Sequence, residues 1–165
     1  MKKVIAYGSM MNKTIRESLA PNTERITPVW IYNLKRTFVI WEPGDHYKKL
    51  GFGRAKAVPL VENYPGKKIN AICFSVPIDD FYMLIAAKRF FTPKNISCTH
   101  FYKDYDIENC TIFIPNMMRI PRLMRNQPQY IDECREGAYS IGNLFGEKFD
   151  STTYLKNGYN LAHYT

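Results

Sequence analysis

The sequence has no apolar run near the roughly 18 residues that a membrane-spanning helix requires. Its runs, such as Val58–Leu60, Ala71–Phe74 and Met83–Ala87, are far shorter, and Lys2-Lys3 is followed by no signal-peptide core. A cytoplasmic protein without membrane attachment is the expectation. Cysteine pairing is also missing: Cys73, Cys98, Cys110 and Cys134 are separated by 25, 12 and 24 positions, with no Cys-x-x-Cys and no Cys/His pair at zinc-ligand spacing. The spacing therefore supports no metal site, and neither metal nor cofactor is expected. With no secretory signal, reduced and mostly buried thiols are expected in place of a disulfide framework. His46, His100 and His163 have no Ser or Cys motif beside them, which argues against a catalytic triad. Internal repeats and low-complexity segments are absent.

What is present suits a single domain over residues 1–165. Hydrophobic residues make up 45% and charged residues 23%, with 12 Tyr and 10 Phe, enough to bury a sizeable core. Net charge is +8 and the pI about 9.3, which favours encounters with anionic partners. The basic residues are scattered, and the densest segment, Arg119–Arg125, lies in no RNA-recognition or helix-turn-helix pattern. The charge is thus read as a solvated basic surface, with nucleic acid or an acidic protein as the alternative partner. Oligomeric state is left open.

The patterning predicts a mixed order of elements. Val4–Ala6 reads as a strand ending at Tyr7-Gly8-Ser9, followed by a helix to Leu19 with Asn12 as its cap. Arg25–Tyr32 and Arg36–Trp41 read as two strands separated by Asn33-Leu34-Lys35. Arg54–Val61 and Lys68–Val76 read as a further pair joined through Asn63–Gly66. Both parities of Ile69–Val76 are apolar, which predicts a strand covered on both faces. Trp30, Tyr32, Phe38 and Trp41 are explained by strand packing. A helix is predicted over Asp79–Phe91, its acids at the positive end of the macrodipole. On that helix Lys88 shares the stripe of Phe81, Leu84 and Ile85, either as a snorkelling side chain or as an amine aimed into a pocket. Cys98–Tyr102 and Cys110–Ile114 read as strands and 115–127 as an irregular basic connection. In Gln129–Ile141, Ile131, Cys134, Ala138 and Ile141 form one buried helical stripe. Gly142 can end it, and a short helix is predicted over Gly146–Tyr154.

Tyr7-Gly8-Ser9-Met10 at the end of a first strand resembles the N-terminal motif of the gamma-glutamylcyclotransferase-like family. Pro128-Gln129-Tyr130 and, after six residues, Gly137-Ala138 resemble that family's C-terminal helix. The strands between them resemble the family's barrel strands, so the resemblance covers about residues 3–155. It implies an α+β fold: a small mixed β-barrel of about six strands with flanking helices. It further implies that Tyr7, Gly8, Ser9 and Met10 form a loop whose backbone donors hold a gamma-glutamyl moiety, with Tyr130 supplying a hydroxyl to the pocket wall. Active members release 5-oxoproline, a helix glutamate moving the proton from the attacking to the leaving amine.

At that glutamate position the chain departs from the family. Placing Leu84 on the leucine of the family's Leu-Asp-x-x-Glu puts Lys88 at the glutamate, and a one-residue slip puts Arg89 there. No carboxylate occurs from Phe81 to Asn95. Glu42, Glu62 and Glu108 fall at turns and read as solvated. The leading expectation is therefore a binding or regulatory protein, a pseudoenzyme or one of altered chemistry, for a small amino-acid or gamma-glutamyl-like ligand. The alternatives are an active cyclotransferase or amine lyase with Lys88 or an acid from a loop as base, and a basic module for nucleic acid or an acidic protein.

Overall fold

The computed structural model describes residues 1–41, 56–88, 91–116, 128–155 and 158–163. Strand β1 (Lys2–Ala6) lies antiparallel to β3 (Lys56–Val76) and parallel to β5 (Asp106–Pro115). β5 pairs antiparallel with β4 (Phe91–His100), β4 with β2 (Glu24–Trp41), and β2 returns to β3. Five strands thus close a mixed barrel, and β6 (Thr153–Tyr154) adds parallel to β2 outside it. Among the described residues four α-helices flank it: α1 (Lys13–Leu19), α2 (Ile78–Ala87), α3 (Pro128–Ile141) and α4 (Asn143–Thr152). The described helices contain no span long and apolar enough to cross a membrane.

Strand alternation divides the apolar side chains into two layers. Ile5, Tyr7, Ile69, Ala71, Cys73, Cys110 and Ile112 fill the barrel. Val4, Ala6, Ile72, Phe74 and Val76 pack under the helices with Leu84 of α2, Ile131, Cys134 and Ala138 of α3, and Phe145 and Phe149 of α4. β3 is therefore apolar at both parities because both of its faces are covered, as the pattern predicts.

Several boundaries differ from the sequence reading. Arg25–Tyr32 and Arg36–Trp41 belong to one strand, because Leu34 and Lys35 pair with β3 and only Asn33 falls at a register shift in the ladder. Asn33 takes a positive φ of 59°, tolerable for Asn, and its side chain accepts from the Gly66 amide at 3.3 Å. Tyr64–Lys67 bulges out opposite it, with Gly66 at φ 83°. The segments on either side of Asn63–Gly66 therefore both pair with β2, not with each other. α2 ends at Ala87, four residues short of the expected Phe91: the Phe91 amide closes a turn on the Lys88 carbonyl (2.9 Å), and Thr92-Pro93 disfavours helix. β4 and β5 extend beyond the expected strands at one or both ends, and the last helix spans Asn143–Thr152 before β6. Arg89, Glu42, His46 and the segment Arg119–Arg125 lie outside the described residues.

Candidate ligand-binding site

β1 delivers the chain into a single 3-10 turn, Ser9–Met11, before Asn12 caps α1 through a bond from the Thr14 amide (3.0 Å). In that turn the Met11 amide donates to the Gly8 carbonyl (3.0 Å) and the Asn12 amide to the Ser9 carbonyl (2.9 Å). In a trans peptide the N–H points opposite to the C=O, so the Ser9 and Met10 N–H groups point back out of the turn. Among the described residues neither amide has an acceptor.

Two buried arginines hold the turn by its carbonyls. Arg36 of β2 donates from its Nη1 to the carbonyls of Tyr7 (3.0 Å) and Asn70 (2.7 Å). Its Nη2 donates to the Asn70 side chain (3.0 Å) and the Thr152 hydroxyl (3.1 Å), and its Nε to the Thr153 hydroxyl (2.8 Å). All five N–H groups are thereby used. The guanidinium also lies over the Phe149 ring at 4.1 Å. Burial pushes its pKa down to about 9, against the favourable fields of Cys134, Tyr7 and Asp150, so it stays charged at neutral pH. Arg16 of α1 donates to the carbonyls of Met10 (3.2 Å) and Met11 (3.0 Å), while its buried Nε has no partner.

The opposing wall comes from α3. Gly137 lies directly against the turn: a Cβ there would stand 2.8 Å from the Met11 carbonyl carbon and closer still to the Asn12 nitrogen. Two helical turns before Gly137 on the same face, Tyr130 lies near the Ser9 hydroxyl and the Cys134 thiol. Burial holds the Tyr130 phenol well above its ordinary range and pushes the Cys134 thiol up to about 12. Phe38 meets Tyr130 edge-on at 5.9 Å. The Tyr7 phenol turns into the barrel, donates to the Phe113 carbonyl and is likewise raised by burial.

The structure thus gathers Gly8, Ser9, Met10 and Tyr130 in one place, with Tyr7 contributing its backbone there and its ring to the core. Lys88 sits apart, at the C-terminal cap of α2, with its Nζ over the Phe91 ring at 4.7 Å. Its charge still reaches the Cys134 thiol. No carboxylate among the described residues hydrogen-bonds to Tyr7, Ser9, Met10 or Tyr130. Sequence reading missed Arg36 and Arg16. An arginine at the start of the apolar run Thr37–Trp41 is the one local sign of the former.

No family model and no curated protein matches the sequence. Solved structures do. A gamma-glutamyl cyclotransferase superposes with a TM-score of 0.68 at 13% identity, over 93% of this chain and 88% of that one. The fold is gamma-glutamyl cyclotransferase-like. An uncharacterized protein from Homo sapiens shares it with a TM-score of 0.68 at 12% identity, over 93% of this chain and 88% of that one. YkqA from Bacillus subtilis does so with a TM-score of 0.62 at 13% identity, over 93% of this chain and 55% of that one. In this cyclotransferase-like chain the close approach of Gly137 gives a physical reason for glycine in the Gly-Ala pair of α3.

Proposed function

We propose that the chain binds a small ligand bearing a carboxylate or amide oxygen, of gamma-glutamyl type, on the Ser9 and Met10 amides. In this reading the glutamate-driven release of 5-oxoproline has been lost or replaced. The observation that carries it is the pair of Ser9 and Met10 amides, without an acceptor among the described residues, close to the Tyr130 side chain. Two N–H donors fixed by carbonyls that are already held can donate to an anionic oxygen without reorganisation. Position 88, where the motif resemblance puts the glutamate, holds a lysine whose Nζ lies over the Phe91 ring at 4.7 Å.

Calorimetry with gamma-glutamyl dipeptides, glutamate and 5-oxoproline tests binding, and mass spectrometry of the same mixtures tests turnover. Binding without 5-oxoproline formation is expected. Tyr130→Phe should weaken binding about tenfold, the cost of roughly one hydrogen bond. No heat and no thermal shift across the panel would overturn the reading. The second reading is an active cyclotransferase or amine lyase with Lys88, or an acid from a loop, as base. Turnover that disappears in Lys88→Ala would establish that reading in place of the first.

A further inference from the structure

Three of the four cysteines, dispersed in sequence, converge inside the barrel. Cys73 of β3, Cys98 of β4 and Cys110 of β5 have all three Sγ atoms within 4.8 Å of one another, and all three residues are buried. The Sγ of Cys110 lies 3.8 Å from that of Cys73 and 3.9 Å from that of Cys98. A triangle of these dimensions has a centre about 2.3 to 2.5 Å from each sulfur, close to a thiolate–metal bond of about 2.3 Å.

A backbone irregularity sets Cys110 into this position. Between the paired positions Ile96↔Cys110 and Cys98↔Ile107, β5 carries one residue more than β4, and Asn109 takes a positive φ of 58°. In an unbroken strand Ile107 and Cys110 would face opposite sides; the extra residue turns both inward. The cluster's apolar neighbours include Ile5, Ala71 and Ile112, and among the described residues no His or carboxylate joins it. Cys110 lies on β5 opposite Lys3, four residues or about 13 Å along β1 from Tyr7, so it is separate from the loop site.

We infer that Cys73, Cys98 and Cys110 form a trigonal three-thiolate site for a soft monovalent ion, Cu(I). Among the described residues the three sulfurs are joined by no fourth side-chain ligand, which a structural Zn(II) site would require, and thiolates select Cu(I) among soft ions. Loading replaces thiol protons by the ion and releases them to solvent. Lys3, paired opposite Cys110 across β1 and β5, supplies a cation on the neighbouring strand.

The test is an anaerobic titration of the reduced full chain with Cu(I) against a chromophoric Cu(I) chelator, with a parallel Zn(II) titration. One Cu(I) per chain should be held against the chelator. Cys110→Ser and Cys98→Ser should each weaken retention at least about a hundredfold, beyond the cost of losing an outer-shell partner. Cys134→Ala, outside the cluster, should retain it. X-ray absorption of the loaded wild-type chain should give three sulfur scatterers at one distance, a readout that does not depend on how the variants fold. Failure to retain Cu(I), unchanged retention in Cys110→Ser, tighter Zn(II) than Cu(I), or nitrogen and oxygen scatterers would each overturn the assignment.

Discussion

Two guanidinium groups hold the Tyr7–Met11 segment, one from β2 and one from α1, on different terms. Arg36 is fully buried yet satisfied at every N–H by neutral acceptors. Arg16 is almost as buried, makes two bonds to carbonyls, and leaves its Nε without an acceptor. Neither forms an ion pair among the described residues. A cation removed from water is tolerated when its donors are matched one by one, and burial alone does not measure what the group contributes. The β2 side of the loop is therefore the rigid anchor, and the α1 side the weaker support.

Arg36→Ala tests this contrast most severely. It leaves a cavity and strips donors from Tyr7, Asn70, Thr152 and Thr153, so a loss of about 4 kcal/mol in urea unfolding is expected. Arg36→Lys keeps the charge but supplies three donors; near-wild-type stability there would show that charge, not matching, is what counts. Gly137→Ala forces a methyl against the Met11–Asn12 backbone and should cost about 2 kcal/mol, readable as a lowered melting temperature. Arg16→Leu should cost about 1 kcal/mol or less, since it removes an orphaned donor along with two bonds. A loss equal to that of Arg36→Ala would erase the contrast.

The smallest effect concerns alkaline pH. Tyr7 and Tyr130 are both raised by burial above the unfolded value of about 10. The folded state therefore holds these protons more tightly than the unfolded chain. Their contribution is complete below pH 10 and declines as pH rises past it. Tyr7→Phe and Tyr130→Phe should each flatten the fall of stability above pH 10, followed by denaturant midpoints at successive pH values. Unchanged slopes in both variants would show that neither phenol is shielded.

Short-range pattern carried much of this architecture. The stripe Ile131, Cys134, Ala138 emerges as the buried face of α3, and the apolar run Ile69–Val76 as a strand between two layers. Tyr7-Gly8-Ser9, Tyr130 and Gly137 were visible through resemblance, and the structure brings them together. Other features depend on partners distant in the chain. Asn33-Leu34-Lys35 reads as a break until β3 supplies a bulge opposite it, and Arg36 reads as a surface cation until Asn70 and Thr153 surround it. The thiols at 73, 98 and 110 share no local motif. Barrel closure and an extra residue at Asn109 bring them together, which spacing along the chain does not encode.

The missing methyl at position 137 has a mechanical consequence. With no side chain between them, α3 and the Ser9–Met11 turn touch backbone to backbone, so neither can slide without dragging the other. Arg135 of the same helix is clamped at both ends of its fork to Asp150 of α4, at 2.9 Å each. A displacement of α4 would then pass through α3 to the Ser9–Met11 turn.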